Sequence, residues 1–166
     1  MKWGKVDKSV DKPPQLWISP KNMLIGEYKH NLDPKKRLAI PAKFRKEMGE
    51  KIVITKGLDQ CLFVYPLAEW EKEAEKLSSL LTGTADKRNF ARILLSGATD
   101  VELDALGRIL IPDYLKSFAG LKEKTVIVGV YKRLEIWNEE NWENYRQRVE
   151  KQTDMLAEKL GEQGAY

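Results

Sequence analysis

Two pairs of charged residues stand out by type and spacing: Asp33 with Arg37, and Asp104 with Arg108, each aspartate four positions ahead of its arginine. In both places an apolar-x-apolar-Pro string follows, ending at Pro41 and Pro112. A carboxylate so placed can hold a turn and take a charge-assisted bond from the guanidinium. A guanidinium fork is also the group that meets a phosphate or the edge of a guanine. These residues offer binding chemistry rather than bond-breaking chemistry. The sequence lacks the parts for catalysis: it has one histidine, His30, and one cysteine, Cys61, which sits in the apolar run CLFVY and reads as a buried strand residue. There is no cluster with metal-ligand spacing, no histidine-assisted nucleophile and no glycine-rich phosphate loop, so no catalytic residue, metal or cofactor is expected.

The two arginines sit in different company. Arg37 follows Lys35 and Lys36 at what reads as a hairpin tip, and this trio is expected to contact nucleic acid. Residues 35–51 carry a net +5, against +2 over the matching residues 106–122 and −3 over 138–166. For a chain whose net charge is only +4, this distribution says more than the sum. Arg108 reads first as a structural partner of Asp104 and second as a DNA contact. Lys43, Arg45 and Lys46, on a short helix, fit a DNA-facing surface and a solvated face equally. The candidate DNA-binding residues are therefore Lys35, Lys36, Arg37, Lys43, Arg45 and Arg108, with Asp33 and Asp104 holding the turns.

The elements that position these residues come from an internal repeat. At a constant offset of 71, Leu32, Asp33, Arg37, Ile40, Pro41 and Gly49 recur as Leu103, Asp104, Arg108, Ile111, Pro112 and Gly120. The match continues with IVIT (52–55) against VIVG (126–129), and with Leu62, Val64, Tyr65 and Trp70 against Leu134, Ile136, Trp137 and Trp142. Each copy reads as strand, turn, strand, short helix from the proline to the glycine, then a hairpin of two β-branched and aromatic strands. MLIGEYKHNL and RLAI are expected to pair as a hairpin around DPKK. Residues 66–81 read as an amphipathic helix carrying Leu67, Trp70, Ala74, Leu77 and Leu81, and residues 138–160 as one longer helix. The recurring aromatics Phe63, Tyr65, Trp70, Trp137 and Trp142 fall at core positions, so packing rather than base stacking is expected of them.

Four short strands per copy are too few to enclose a core alone. The expected fold is α+β and mainly β: two copies joined across a pseudo-twofold axis into one barrel, with amphipathic helices after each copy. The boundaries are a flexible extension (1–22), a first unit (23–82) and a second (83–166), with Met23 as a candidate natural start. No apolar run reaches the ~20 residues of a membrane helix, and residues 1–22 lack a signal-peptide pattern, which makes the cytoplasm the default.

The segments GEYKHNLDPKKRLAIPAKFR and VELDALGRILIP resemble the two signature segments of the MraZ family of bacterial transcriptional regulators, and the resemblance runs from Met23 to about Leu160. It implies an AbrB-like swapped-hairpin barrel whose two halves are supplied by one chain. It also implies a nucleoid-associated regulator that binds repeated boxes in double-stranded DNA at the promoter of the division and cell wall gene cluster, with repression as the expected direction, and assembly as a ring-like homo-oligomer. The matching Asp-x-x-x-Arg residues are Asp33 and Arg37, with Asp104 and Arg108. The family's first motif usually has glycine before its arginine; here Lys36 stands there, so the turn is either mildly strained or re-formed. A scaffold or antitoxin-like regulator acting on a protein partner is the alternative, and the basic hairpin tip is what separates the two, since a scaffold has no need of it.

Overall fold

The computed structural model describes residues 23–166, and the expected extension over residues 1–22 lies outside it. The first copy comprises β1 (Leu24–Asn31), β2 (Arg37–Ala39), α1 (Ala42–Met48), β3 (Lys51–Lys56) and β4 (Leu62–Pro66), followed by α2 (Leu67–Leu80) and α3 (Ala85–Gly97). The second repeats this order as β5 (Thr99–Glu102), β6 (Arg108–Leu110), α4 (Asp113–Phe118), β7 (Lys124–Tyr131) and β8 (Leu134–Asn138), then α5 (Glu139–Glu150) and α6 (Thr153–Glu162). Pro41 and Pro112 take extended backbone one residue before α1 and α4, and Gly49, at φ 73°, ends α1. The proline-to-glycine reading of the short helices therefore holds.

Strands are exchanged between the copies. The main sheet runs β1-β7-β8-β4-β3-β5, and β2 pairs separately with β6. Swapping each strand for its counterpart reverses this order and leaves it unchanged, which is the signature of a pseudo-twofold axis. The axis passes between Leu38 and Ile109, which face each other in the β2–β6 ribbon, and between Phe63 and Glu135 in the β4–β8 ladder. β1 belongs to the first copy yet pairs along its whole length with β7, from Leu24 opposite Tyr131 to Asn31 opposite Lys124.

The expected β1–β2 hairpin is therefore corrected. The turn between the strands forms, but the strands part after it: Leu32 donates its N–H to the Glu123 carbonyl at 2.7 Å, carrying the chain across to the other copy. The copies also align one residue differently from the sequence match over β3. Ile54 lies opposite Val64, and Ile127 opposite Ile136, so Ile54 corresponds to Ile127. Runs of Ile and Val resemble themselves after a shift, and only the ladder decides their register.

The buried face of the main sheet and the ribbon close on one core. Ile52, Ile54, Leu62 and Val64 of the first copy meet Ile127, Leu134 and Ile136 of the second, with Leu38, Ile40, Ile109 and Ile111 of the ribbon laid across them and Phe44 and Leu115 from the short helices. The opposite face packs Phe63, Tyr65, Val126 and Trp137 against Trp70 of α2 and Trp142 and Tyr145 of α5, as expected for the recurring aromatics. In α2 the apolar stripe is only partly used: Leu77 is buried against Ala91 and Leu94 of α3, while Leu67 and Leu81 are exposed.

The single long helix expected over 138–160 is two helices. At the end of α5 the Thr153 hydroxyl donates to the Val149 carbonyl at 3.2 Å and the Gln152 N–H bonds the same oxygen at 2.9 Å; the helical ladder restarts with Leu156 N–H to Gln152 O. A threonine side chain competing for a backbone acceptor is a known way to end a turn of helix.

Candidate nucleic-acid interface

Each Asp-x-x-x-Arg segment folds into the same closed turn. In the first, the Lys36 N–H donates to the Asp33 carbonyl at 2.9 Å and the Asp33 N–H to the Arg37 carbonyl at 3.0 Å. The Asp33 carboxylate then accepts the Arg37 N–H at 2.8 Å and the Arg37 Nε–H at 2.7 Å. In the second, the Arg108 N–H and Nε–H reach the Asp104 carboxylate at 2.9 Å and 2.7 Å. The backbone N–H of each arginine, followed by its guanidinium, holds both carboxyls below the usual aspartate range. The structural role expected for Arg108 is thus shared by Arg37. In both, Nε is committed to the turn, while Nη1 and Nη2 make no hydrogen bond among the described residues.

The lysine that replaces glycine does not re-form the turn. Lys36 takes φ 63° and Gly107 φ 73°, the same left-handed conformation, which costs a residue with a Cβ about 1–2 kcal/mol. What surrounds the two positions differs. A Cβ on Gly107 would run into the Arg45 guanidinium, whose Nε donates to the Ile40 carbonyl at 2.8 Å. At the first turn the residue corresponding to Arg45 is Lys116, and Lys36 instead extends to Asp113 of α4 at 2.8 Å.

The turns flank the ribbon, and the ribbon decides where the arginines point. Leu38 and Ile109 are fully buried beneath it, so by strand alternation Arg37, Ala39, Arg108 and Leu110 share its outer face. Arg37 lies opposite Leu110 and Ala39 opposite Arg108. The arginines thus stand diagonally, as neighbours about 7–8 Å apart across the ribbon, one at each end.

Around this face the remaining predicted residues separate. Lys35 is exposed at the first turn's tip. Lys43 is exposed on α1, with its ammonium 3.5 Å from the Ile25 carbonyl. Arg45 is half-buried, donates to the Ile40 carbonyl of its own copy and lies against Gly107 of the second, so it serves packing as well as charge. Two cations that sequence reasoning left out join the first turn: Lys116 and Lys122 line a cavity of about 520 Å³ together with Asn31, Asp33 and Pro34. The signal was the repeat itself, since Lys116 is the counterpart of Arg45. At the second turn a groove of about 900 Å³ is lined by Arg45, Lys46 and Lys51 but also by Glu50, Glu102 and Asp104. Asp33 and Glu123 offset the two lysines of the first cavity as the three carboxylates offset the cations of this groove, so it is Lys35 and Lys36, where the second turn has Leu106 and Gly107, that make the first turn the more cationic end of the ribbon.

Residues 23–93 and 94–160 each match the family model described as "MraZ protein, putative antitoxin-like". The chain is 48% identical over 138 residues to the transcriptional regulator MraZ of Desulforamulus reducens, covering 83% of this chain and 97% of the relative. It is 51% identical to that of Moorella thermoacetica over 138 residues (83% and 96%), and 49% identical to that of Clostridium beijerinckii over 142 residues (86% and 99%).

Proposed function

Because this chain belongs to the MraZ family, we propose that it is a transcriptional regulator, not an enzyme, and that it binds double-stranded DNA through the outer face of the β2–β6 ribbon and its two turns. The observation that carries the reading is the shared outward placement of Arg37 and Arg108 on a two-stranded ribbon. Two strands about 4.8 Å apart make a body narrower than the ~12 Å major groove, which admits such ribbons. Each turn uses Nε to fix the guanidinium and leaves the two terminal nitrogens, the pair that reaches guanine O6 and N7. Lys35, Lys36, Lys116 and Lys122 at the first turn, with Lys43 on α1, supply cations for the phosphates beside the ribbon, and phosphate contacts position a protein while base contacts specify the site.

On this reading the protein acts in the cytoplasm, associated with the nucleoid. It regulates the division and cell wall gene cluster by binding repeated promoter boxes, with repression as the direction. A ring-like homo-oligomer suits that target, since several weak ribbons gain avidity when box spacing matches subunit spacing.

The test is fluorescence anisotropy with the DNA upstream of the gene for this chain, against scrambled DNA, over a salt series. Specific binding is expected, with a log–log salt slope of roughly −0.9 per phosphate contact. Arg37→Ala is expected to weaken it by about 1–3 kcal/mol, the worth of one bidentate base contact. Equal, weak binding to both DNAs, or an Arg37→Ala protein that binds as wild type does, would move the reading to a protein partner.

A further inference from the structure

Resting on that DNA reading, we propose that Leu110 is a specificity-determining residue that reads the 5-methyl group of a thymine next to the base contacted by Arg37. The ribbon's outer face has four positions, and three of them suit DNA without further comment: two arginines and a small alanine. The fourth, Leu110, is 55% exposed. It replaces, at the repeat offset, the methyl side chain of Ala39 with a four-carbon one. An apolar group standing out between cations gains nothing from water and adds nothing to phosphate binding. In the major groove it has a defined complement, because thymine alone among the four bases presents a methyl group there.

The pairing puts that complement within reach of the arginine's target. Leu110 is directly opposite Arg37, so their Cβ atoms lie about 4.5–5.5 Å apart, between one and two base-pair steps of about 3.4 Å. The side chains are then matched to neighbouring bases, a guanine for the guanidinium and a thymine for the leucine. The opposite end of the ribbon pairs Arg108 with Ala39, whose single methyl reaches less far into the groove. The two ends accordingly make unequal demands, and a site read by this face is not palindromic, although the fold that presents the face is close to twofold symmetric.

Deoxyuridine provides the test, since it differs from thymidine only by the missing methyl. Anisotropy is measured for the full chain on the promoter duplex with thymines, on the same duplex with each thymine in turn replaced by deoxyuridine, and on scrambled DNA. Wild type is expected to lose about fourfold in affinity at one thymine per site, the worth of one buried methyl. Leu110→Ala is expected to bind the two duplexes equally, with its affinity near that of wild type on the substituted DNA. Because Leu110 is exposed, a matching melting temperature shows that the variant is folded. Equal binding of wild type to thymine and uracil duplexes, or retained discrimination by Leu110→Ala, overturns the methyl contact while leaving promoter-specific binding in place. If promoter and scrambled DNA bind alike, the DNA reading itself fails and the methyl contact with it.

Discussion

Leu38→Ala should unfold the two copies together. Leu38 lies at the pseudo-twofold axis, opposite Ile109, and neither side chain is exposed. The substitution removes three carbons from the layer between ribbon and sheet. At about 0.8 kcal/mol per buried carbon this forfeits roughly 2.4 kcal/mol, and the unfilled space raises the loss to about 3–4 kcal/mol. For a chain of this length the melting temperature should fall by about 6–16 °C. Urea unfolding followed by tryptophan emission and by far-ultraviolet circular dichroism tests whether the loss is shared, because Trp137 and Trp142 pack on the far face of the sheet. One core predicts that both transitions shift by the same amount with an unchanged slope. It also predicts that Leu38→Ala with Ile109→Ala departs from the sum of the single losses by about 0.5–3 kcal/mol, as neighbours in one cavity do. A tryptophan transition that stays where it was while dichroism moves, or separate sharp melts from the isolated stretches 23–93 and 94–160, would refute a core common to both.

Gly107→Ala should cost about 1–3 kcal/mol, from positive φ and from displacing Arg45, and adding Arg45→Ala should recover part of that loss in a thermal melt. The acid stability of the turns follows from the depressed carboxyls of Asp33 and Asp104. A folded-state pKa below the unfolded value stabilises the protein fully above about pH 4, the unfolded aspartate pKa, and the contribution is lost as pH falls through the lower folded value. Carboxyl NMR titrations should therefore place both groups below the ordinary range, and Asp33→Asn should flatten the acid limb of stability against pH; an ordinary titration at both residues would contradict the turn geometry.

Much of this fold was legible because local chemistry and global arrangement agree in it. The proline-to-glycine stretches folded as the short helices, and the two DxxxR segments as identical turns. The β3–β4 hairpin formed where β-branched runs flank a turn. The joining of the two copies about a pseudo-twofold axis was expected as well; what local pattern did not show was which strand β1 would pair with. Nothing in LIGEYKHN distinguishes pairing with the strand that follows from pairing with one in the other copy, since backbone hydrogen bonds carry no address and the choice is made by which apolar faces end in one core. The break before Thr153 is hidden in the pattern for a related reason: it arises from a single hydroxyl competing for a carbonyl, against an otherwise helical pattern. At the ribbon, the charge of Lys35, Lys36 and Arg37 was visible, whereas Lys116 and Lys122 come to the first turn only through the exchange of strands.

Strand exchange also imposes an order of events during synthesis. β1 is among the first segments of the described chain to be made, yet its partner β7 ends at Tyr131, opposite Leu24. At about 5–20 residues per second, the roughly hundred residues between them take about 5–20 s to translate. Throughout that interval β1 has both of its hydrogen-bonding edges open and its apolar residues without a core. β3 and β4 can pair meanwhile, but the β2–β6 ribbon that covers them does not exist until the ribosome has delivered β6, and β4 lacks its second neighbour until β8 follows. The nascent first copy therefore passes through a period in which another nascent chain of the same kind offers it the same missing strand, and polysomes carrying this message hold such chains side by side.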